Sequence, residues 1–296
     1  MLVIAHGDLD GICSVAILLK RHPNAKVIFA EPRNLSEVLA NVRRPELLYI
    51  LDIAAMDPNV VTELKRLDDS GTKIVYLDHH SESEVVRGHV KELILDTLSS
   101  TAQICYKYVG IGFELADLGA VSDRLMMIPK LASMARTIST ALRYDVRDDE
   151  FRLRLARHLS NKVSVPEEAA VKAAKVMEMT RGLMRLAKEN VVAVSENVAV
   201  IDFTGHDIMG HAGYLAQRLA NRWRKAIFVI FRANDSIIVT VRRQHGNAKV
   251  DLKEVLSALA KSFGGRFGGY SARASAALPK SSDLRELVSW VLTHVG

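Results

Sequence analysis

Short apolar runs alternate with amphipathic segments through the first half of the chain. Leu2–Ala5, Lys26–Ala30, Leu47–Leu51 and Lys73–Leu77 are rich in Val, Ile and Leu, the pattern of strands buried on both faces. Between them, Ser14–Lys20, Leu35–Val42 and Val60–Ser70 carry apolar residues at helical spacing. This alternation predicts a parallel α/β sheet. Leu93–Leu95 reads as a further short strand ending at Asp96. Ser99-Ser100-Thr101 then reads as the N-cap of a helix over Ala102–Tyr108. From about Glu150 to Glu189 the composition is helical, with one break at Val165-Pro166, and Met177, Met179 and Met184 are expected to pack in the core.

The last hundred residues follow a different pattern. Val198–Phe203, Ala226–Phe231 and Ser236–Arg242 read as strands around a helix from about Ala212 to Trp223. A second helix, Leu252–Ser262, leads into the glycine-rich stretch Phe263-Gly264-Gly265-Arg266-Phe267-Gly268-Gly269-Tyr270. The expectation is an α/β protein of two domains. Residues 1–188 form the parallel-sheet domain with its closing helices and linker, and residues 189–296 form a smaller α/β domain.

Composition changes this picture little. A chain of 296 residues, 49% hydrophobic and 25% charged, suits a soluble two-domain protein. No run is long enough to span a bilayer and no charged leader precedes the first strand, so a cytoplasmic location without a membrane partner is expected. Cys13 and Cys105 lie in apolar, helix-like surroundings that suit reduced, buried thiols. Charge is more informative. The net +6 resides entirely from Ser195 onward, where nine Arg and five Lys face five Asp and three Glu. A polyanionic partner such as nucleic acid is one consequence, and a solvated basic surface is the other.

Candidate chemistry begins at His6-Gly7-Asp8-Leu9-Asp10-Gly11. Alternation at period two would place His6, Asp8 and Asp10 on one side of extended backbone, where a cation would hold them together. Asp52 follows the third apolar run, and Asp78-His79-His80 follows the fourth. The carboxyl ends of strands in an open parallel sheet line the ligand crevice, so these groups can meet there. Asp123, after Leu118-Gly119-Ala120-Val121-Ser122, is a further candidate, with Asp117 less favoured. His206 and His211 read as turn and packing residues at a helix start, Trp223 and Trp290 as packing residues, and His245-Gly246-Asn247 as a loop.

In order and spacing, His6-x-Asp8-x-Asp10-Gly11, Asp52, Asp78-His79-His80 and Asp123 resemble the DHH phosphoesterase superfamily, and the resemblance covers essentially the whole chain. It implies a catalytic DHH domain followed by a small DHHA1-type domain, and two divalent ions, Mn2+ before Mg2+ or another transition metal. His6 and Asp8 would hold one ion, Asp10, His79 and Asp123 the other, and Asp52 would bridge them. His80 would face substrate, with Asp78 orienting the histidine pair. Relatives carry Gly-Gly-His in a glycine-rich substrate loop of the second domain, and here that loop would be Gly264-Gly265-Arg266 continuing through Phe267-Gly268-Gly269-Tyr270. Gly264 and Gly265 would approach a phosphate, with Arg266 and either Arg242 or Arg243 as clamps. The implied activity is hydrolysis of single-stranded RNA or DNA or of short oligonucleotides, as in RecJ-type exonucleases and nanoRNases. Two alternatives stand beside it: a phosphatase or phosphodiesterase of small nucleotides, and a non-catalytic scaffold in a replication or repair complex.

Overall fold

A computed structural model describes residues 1–208, 210–233, 235–244 and 250–295; His245-Gly246-Asn247 lies outside them. The chain divides into two compact units, Met1–Lys175 and Val176–Gly296, with one long helix running across the division. Among the described residues no helix is long and apolar enough to cross a membrane.

The first unit contains β1 (Leu2–Ala5), α1 (Leu9–Arg21), β2 (Lys26–Phe29), α2 (Leu35–Ala40), β3 (Leu47–Leu51), α3 (Asn59–Asp69), β4 (Lys73–Asp78) and β5 (Glu92–Leu95). Helices α4 (Thr101–Val109), α5 (Phe113–Ser122), α6 (Pro129–Ala141) and α7 (Asp149–Asn161) follow, and α8 (Glu167–Glu189) crosses into the second unit. All strand pairs are parallel, in the order β2-β1-β3-β4-β5. Alternate residues of each strand serve two cores. Val3, Tyr49, Leu51, Val75 and Leu77 pack with α1, α4 and α5, whereas Ile4, Leu48, Ile50, Ile74 and Tyr76 pack with α2 and α3. A sheet covered on both faces explains why its strands read as continuous apolar runs. Strand order reverses between β1 and β3, and a crevice at the carboxyl end is expected at that point.

The second unit contains β6 (Val191–Val194), β7 (Val198–Asp202), α9 (Ala212–Trp223), β8 (Ala226–Ala233), β9 (Ser236–Arg242), α10 (Leu252–Phe263), β10 (Arg266–Tyr270), β11 (Arg273–Pro279) and α11 (Leu284–Val295). Its sheet runs β10-β11-β9-β8-β7-β6 and is antiparallel except for β7–β8. One core lies under α10 and α11, the other under α9.

Three expectations need correction. The backbone is not extended through Asp10: β1 stops at Ala5, Asp8 is the N-cap of α1 with its carboxylate accepting the Gly11 N–H, and Asp10 lies in the first helical turn. An aspartate N-cap with a second acid in the first turn is a strong helix start, and it outweighs the glycine at position 11. The glycine-rich stretch is not a loop, because Arg266–Tyr270 pairs with β11 as an edge strand. Met177 and Met179 are exposed. The buried stripe of α8 runs through Ala169, Ala173, Val176, Thr180 and Ala187 at helical spacing, and both methionines fall off it. Met184 packs against the core under α9, as does Trp223.

Candidate metal centre

The site forms where β1, β3 and β4 end and α1 and α4 begin. His6 directly follows β1, Asp52 directly follows β3, and Asp78 closes β4. Asp52 has a left-handed backbone (φ 62°), which an aspartate tolerates better than most residues, and its side chain is buried. Gly11 lets α1 start against this strand end, because a Cβ there would lie 2.3 Å from the His6 carbonyl oxygen and 3.2 Å from Asp52 Oδ2.

The six residues expected to bind metal come together in two groups, and Asp52, Asp78, His79 and His80 form a third that overlaps them. Ligand atoms of His6, Asp8 and Asp52 all lie within 4.8 Å of one another, as do those of Asp10, His79 and Asp123. His6 Nδ1 is 3.1 Å from Asp8 Oδ2 and 3.8 Å from Asp52 Oδ2. His79 Nε2 is 3.4 Å from Asp52 Oδ1 and 3.6 Å from Asp123 Oδ2, so Asp52 faces both groups. Asp10 is fully buried and its carboxylate accepts the Thr101 and Ala102 N–H groups at the start of α4, at 2.7 and 3.1 Å. The positive end of that helix favours the negative charge.

Four partners were not expected at the site from the sequence. Glu31 takes His6 Nε2 at 3.2 Å, leaving Nδ1 toward Asp8 and Asp52. The Thr101 hydroxyl donates to Asp52 Oδ1 at 2.9 Å. The Ser83 hydroxyl donates to Asp78 Oδ2 at 2.5 Å, while Asp78 Oδ1 accepts the His79 N–H and meets His80 Nδ1 at 2.8 Å. Arg152, nearly buried, donates to the Gly7 carbonyl at 3.1 Å and so ties α7 to the β1–α1 connection. Of these, Glu31 carried a readable signal, because it follows the second apolar run as Asp52 follows the third. Asp78 is fully buried and hydrogen-bonded at both oxygens, which suits positioning the two histidines rather than touching a substrate.

The electrostatics are those of a cluster short of positive charge. Burial, then neighbouring carboxylates, push Asp10 and Asp52 well above the usual carboxylate range. Burial and Asp8 push Asp123 up to about 6. Desolvation opposes the charged form of His6, yet Asp8, Asp52 and Glu31 together hold it well above an ordinary histidine. Desolvation works against ionised Asp8 too, but His6 keeps it below the usual range. Burial, then His80, lowers His79. His80 is raised because its bond to Asp78 outweighs burial. Four carboxylates and two imidazoles converging in this way suit divalent cations with mixed nitrogen and oxygen ligands. The Glu31 carboxylate behind His6 gives the outer support that a liganding imidazole usually has.

The residues expected to bind phosphate are differently employed. Gly264 is the left-handed C-cap of α10 (φ 69°), and the N–H groups of both Gly264 and Gly265 donate to the Ala260 carbonyl. Neither N–H is therefore available to cradle a phosphate. Arg266 is exposed at the start of β10. Arg242 is held by the carbonyls of Val241 and Ala274, at 2.7 and 3.2 Å, and Arg243 by that of Ser271 at 3.1 Å.

The model of the DHH family N-terminal domain matches residues 1–135, and that of the DHHA1 domain matches residues 196–293. The chain belongs to the DHH family. A comparison with curated protein sequences finds no match. Among solved structures, this DHH-family chain is similar to RecJ of Thermus thermophilus in complex with Mn2+, at TM-score 0.66 and 17% identity over 99% of this chain and 51% of that one. It thus spans about half the length of that RecJ. It is also similar to the pGpG-specific phosphodiesterase PggH of Vibrio cholerae, at TM-score 0.62 and 13% identity over 99% of this chain and 97% of that one. CDC45 of Entamoeba histolytica gives TM-score 0.64 at 8% identity over 99% and 94%. At these identities the likeness concerns the fold.

Proposed function

We propose that the chain is a metal-dependent phosphodiesterase acting on single-stranded nucleic acid or short oligonucleotides. The observation that carries this reading is the convergence of His6 from one ligand group and His79 from the other on the buried carboxylate of Asp52. His6 and Asp8 would hold one divalent cation, Asp10, His79 and Asp123 the second, with Asp52 shared. Bound there, the cations would supply Lewis acidity, which activates water at neutral pH and offsets phosphoryl charge. The chain's own groups do the rest. Glu31 and Thr101 orient His6 and Asp52, and Asp78 fixes the His80 imidazole with its Nδ1 engaged. The remaining nitrogen is left to donate to the departing alkoxide. The Asp78 carboxylate raises the His80 pKa against the opposing effect of burial, which favours the protonated ring that such donation needs.

RecJ has been crystallised with Mn2+ and with Mg2+, so both are the first metals to try. PggH, which this chain matches over nearly its full length, supports a very short or nucleotide-sized substrate. The likeness to CDC45 keeps a scaffold role as the second reading. Incubating the full chain and its Asp52→Asn variant with Mn2+ and end-labelled RNA and DNA, from dinucleotides upward, tests the first. Metal-dependent products from wild type alone are expected. A folded, metal-loaded wild type that cleaves nothing would promote the scaffold.

A further inference from the structure

Among the described residues, one face of the second unit's sheet is only partly covered. On the side of α10 and α11, Val239, Val241, Ala274 and Ala276 are buried. On the opposite side α9 packs over β8 and β9, and β10 lies beyond it with every residue exposed. Strand register places Arg266, Gly268 and Tyr270 of β10 on that open side, level with Ala277, Ser275 and Arg273 of β11. Arg273 is in turn level with Arg242 of β9.

Two features of this surface point to its occupant. Arg242 and Arg273 are directly opposed on neighbouring strands, an arrangement that like charges disfavour, and among the described residues no carboxylate pairs with either. Burial and the nearby Arg273 lower Arg242 to about 10. Such a pair is relieved by an anion. Beside it, the Arg273 guanidinium stands 5.1 Å from the centre of the Tyr270 ring, while Tyr270 remains 56% exposed. Gly268 occupies the place between Tyr270 and Arg266, and among the described residues nothing lies within 4 Å of where its Cβ would be. The surface is thus a flat aromatic ring backed by a cation, an open step, and a second cation.

Resting on the phosphodiesterase reading above, we propose that Tyr270, backed by Arg273, is a stacking platform for a nucleobase of single-stranded nucleic acid, with Arg266 and Arg273 taking the flanking phosphates. Charge complementarity favours this occupant, since the arginines beside the exposed ring suit phosphates and the ring offers a flat face to a base. A base would stack on an aromatic face whatever its identity, so the platform would select nucleic acid over other phosphate esters without selecting sequence. The unpaired outer edge of β10 could instead add a strand from a second copy of the chain, and the test separates the two.

The experiment is fluorescence anisotropy of the full-length chain with divalent metal chelated, so that binding is read without cleavage. The probes are a labelled short oligothymidylate and an abasic strand of the same length carrying the same phosphates. Wild type should prefer the base-bearing probe by about tenfold, from one good stacking contact. Tyr270→Ala should abolish that preference and Tyr270→Phe should retain it. Arg273→Ala should weaken both probes. Equal binding of the two probes by wild type, binding of neither, or a preference that survives Tyr270→Ala would overturn the proposal. So would sedimentation showing a dimer that Tyr270→Ala dissolves, which would assign the strand to self-association. Because the readout is affinity, it stands or falls separately from hydrolysis.

Discussion

At the residue scale, the site rests on carboxylates that the folded chain holds at a cost. Asp10, Asp52 and Asp123 all have raised pKa values, so at these three groups the metal-free folded chain binds more protons than the unfolded one. The sign follows from linkage: apo stability falls as pH rises from about 4, the unfolded carboxylate value, through the Asp123 value near 6. His6, raised above its unfolded value, extends that loss to higher pH. Thermal melts in chelator should therefore show Tm falling by several degrees across this range, and added Mn2+ should restore it most at the alkaline end. A chelated Tm that rises with pH there would contradict the assignment. Glu31→Gln keeps the shape but weakens the support behind His6, and it should reduce metal affinity by about 10–100-fold in a calorimetric titration. Asp52 and the Asp78-His79-His80 run were legible because each follows an apolar run, and Glu31 follows the same rule. Thr101 and Ser83 were not legible, since their roles arise from contacts across 49 residues to Asp52 and from a local 3-10 turn (Ser81–Val86).

At the scale of elements, strand positions were easy to read and the ends of elements were not. Doubly buried strands announce themselves by apolar runs, whereas the start of α1 depends on one side chain, Asp8, capping a helix that begins beside a glycine. That start fixes Asp8 and Asp10 toward different groups of ligands, which extended backbone would not do. Gly11→Ala would force the helix away from the His6 carbonyl. The variant should lose on the order of 1–3 kcal/mol in denaturant unfolding and bind metal more weakly. Arg152 is the counterpart on α7, donating to the carbonyls of Gly7 and Val146 and pairing with Asp149. Arg152→Ala leaves buried acceptors without donors and should cost about 2–3 kcal/mol by the same measurement. The misreading of Arg266–Tyr270 as a loop has a similar origin. Glycines at 264 and 265 end a helix, those at 268 and 269 lie within an edge strand, and composition alone does not distinguish the two uses.

At the scale of the whole molecule, a parallel sheet with its strand order reversing at β1/β3 delivers the ends of β1, β3 and β4 to one place. The DHH-family fold thus explains how residues spread from His6 to Asp123 become neighbours. The second unit carries the chain's positive excess. The central claim is that the six neighbouring ligands form a two-cation centre that drives phosphodiester hydrolysis. The most direct test counts Mn2+ per chain by calorimetry while following oligonucleotide cleavage on the same preparations of wild type and Asp123→Asn. Two ions per wild-type chain, one tight ion in the variant, and cleavage that rises with the second occupancy are the predicted result. A folded wild type that binds no Mn2+, or one that cleaves equally well with one ion and with two, would contradict it.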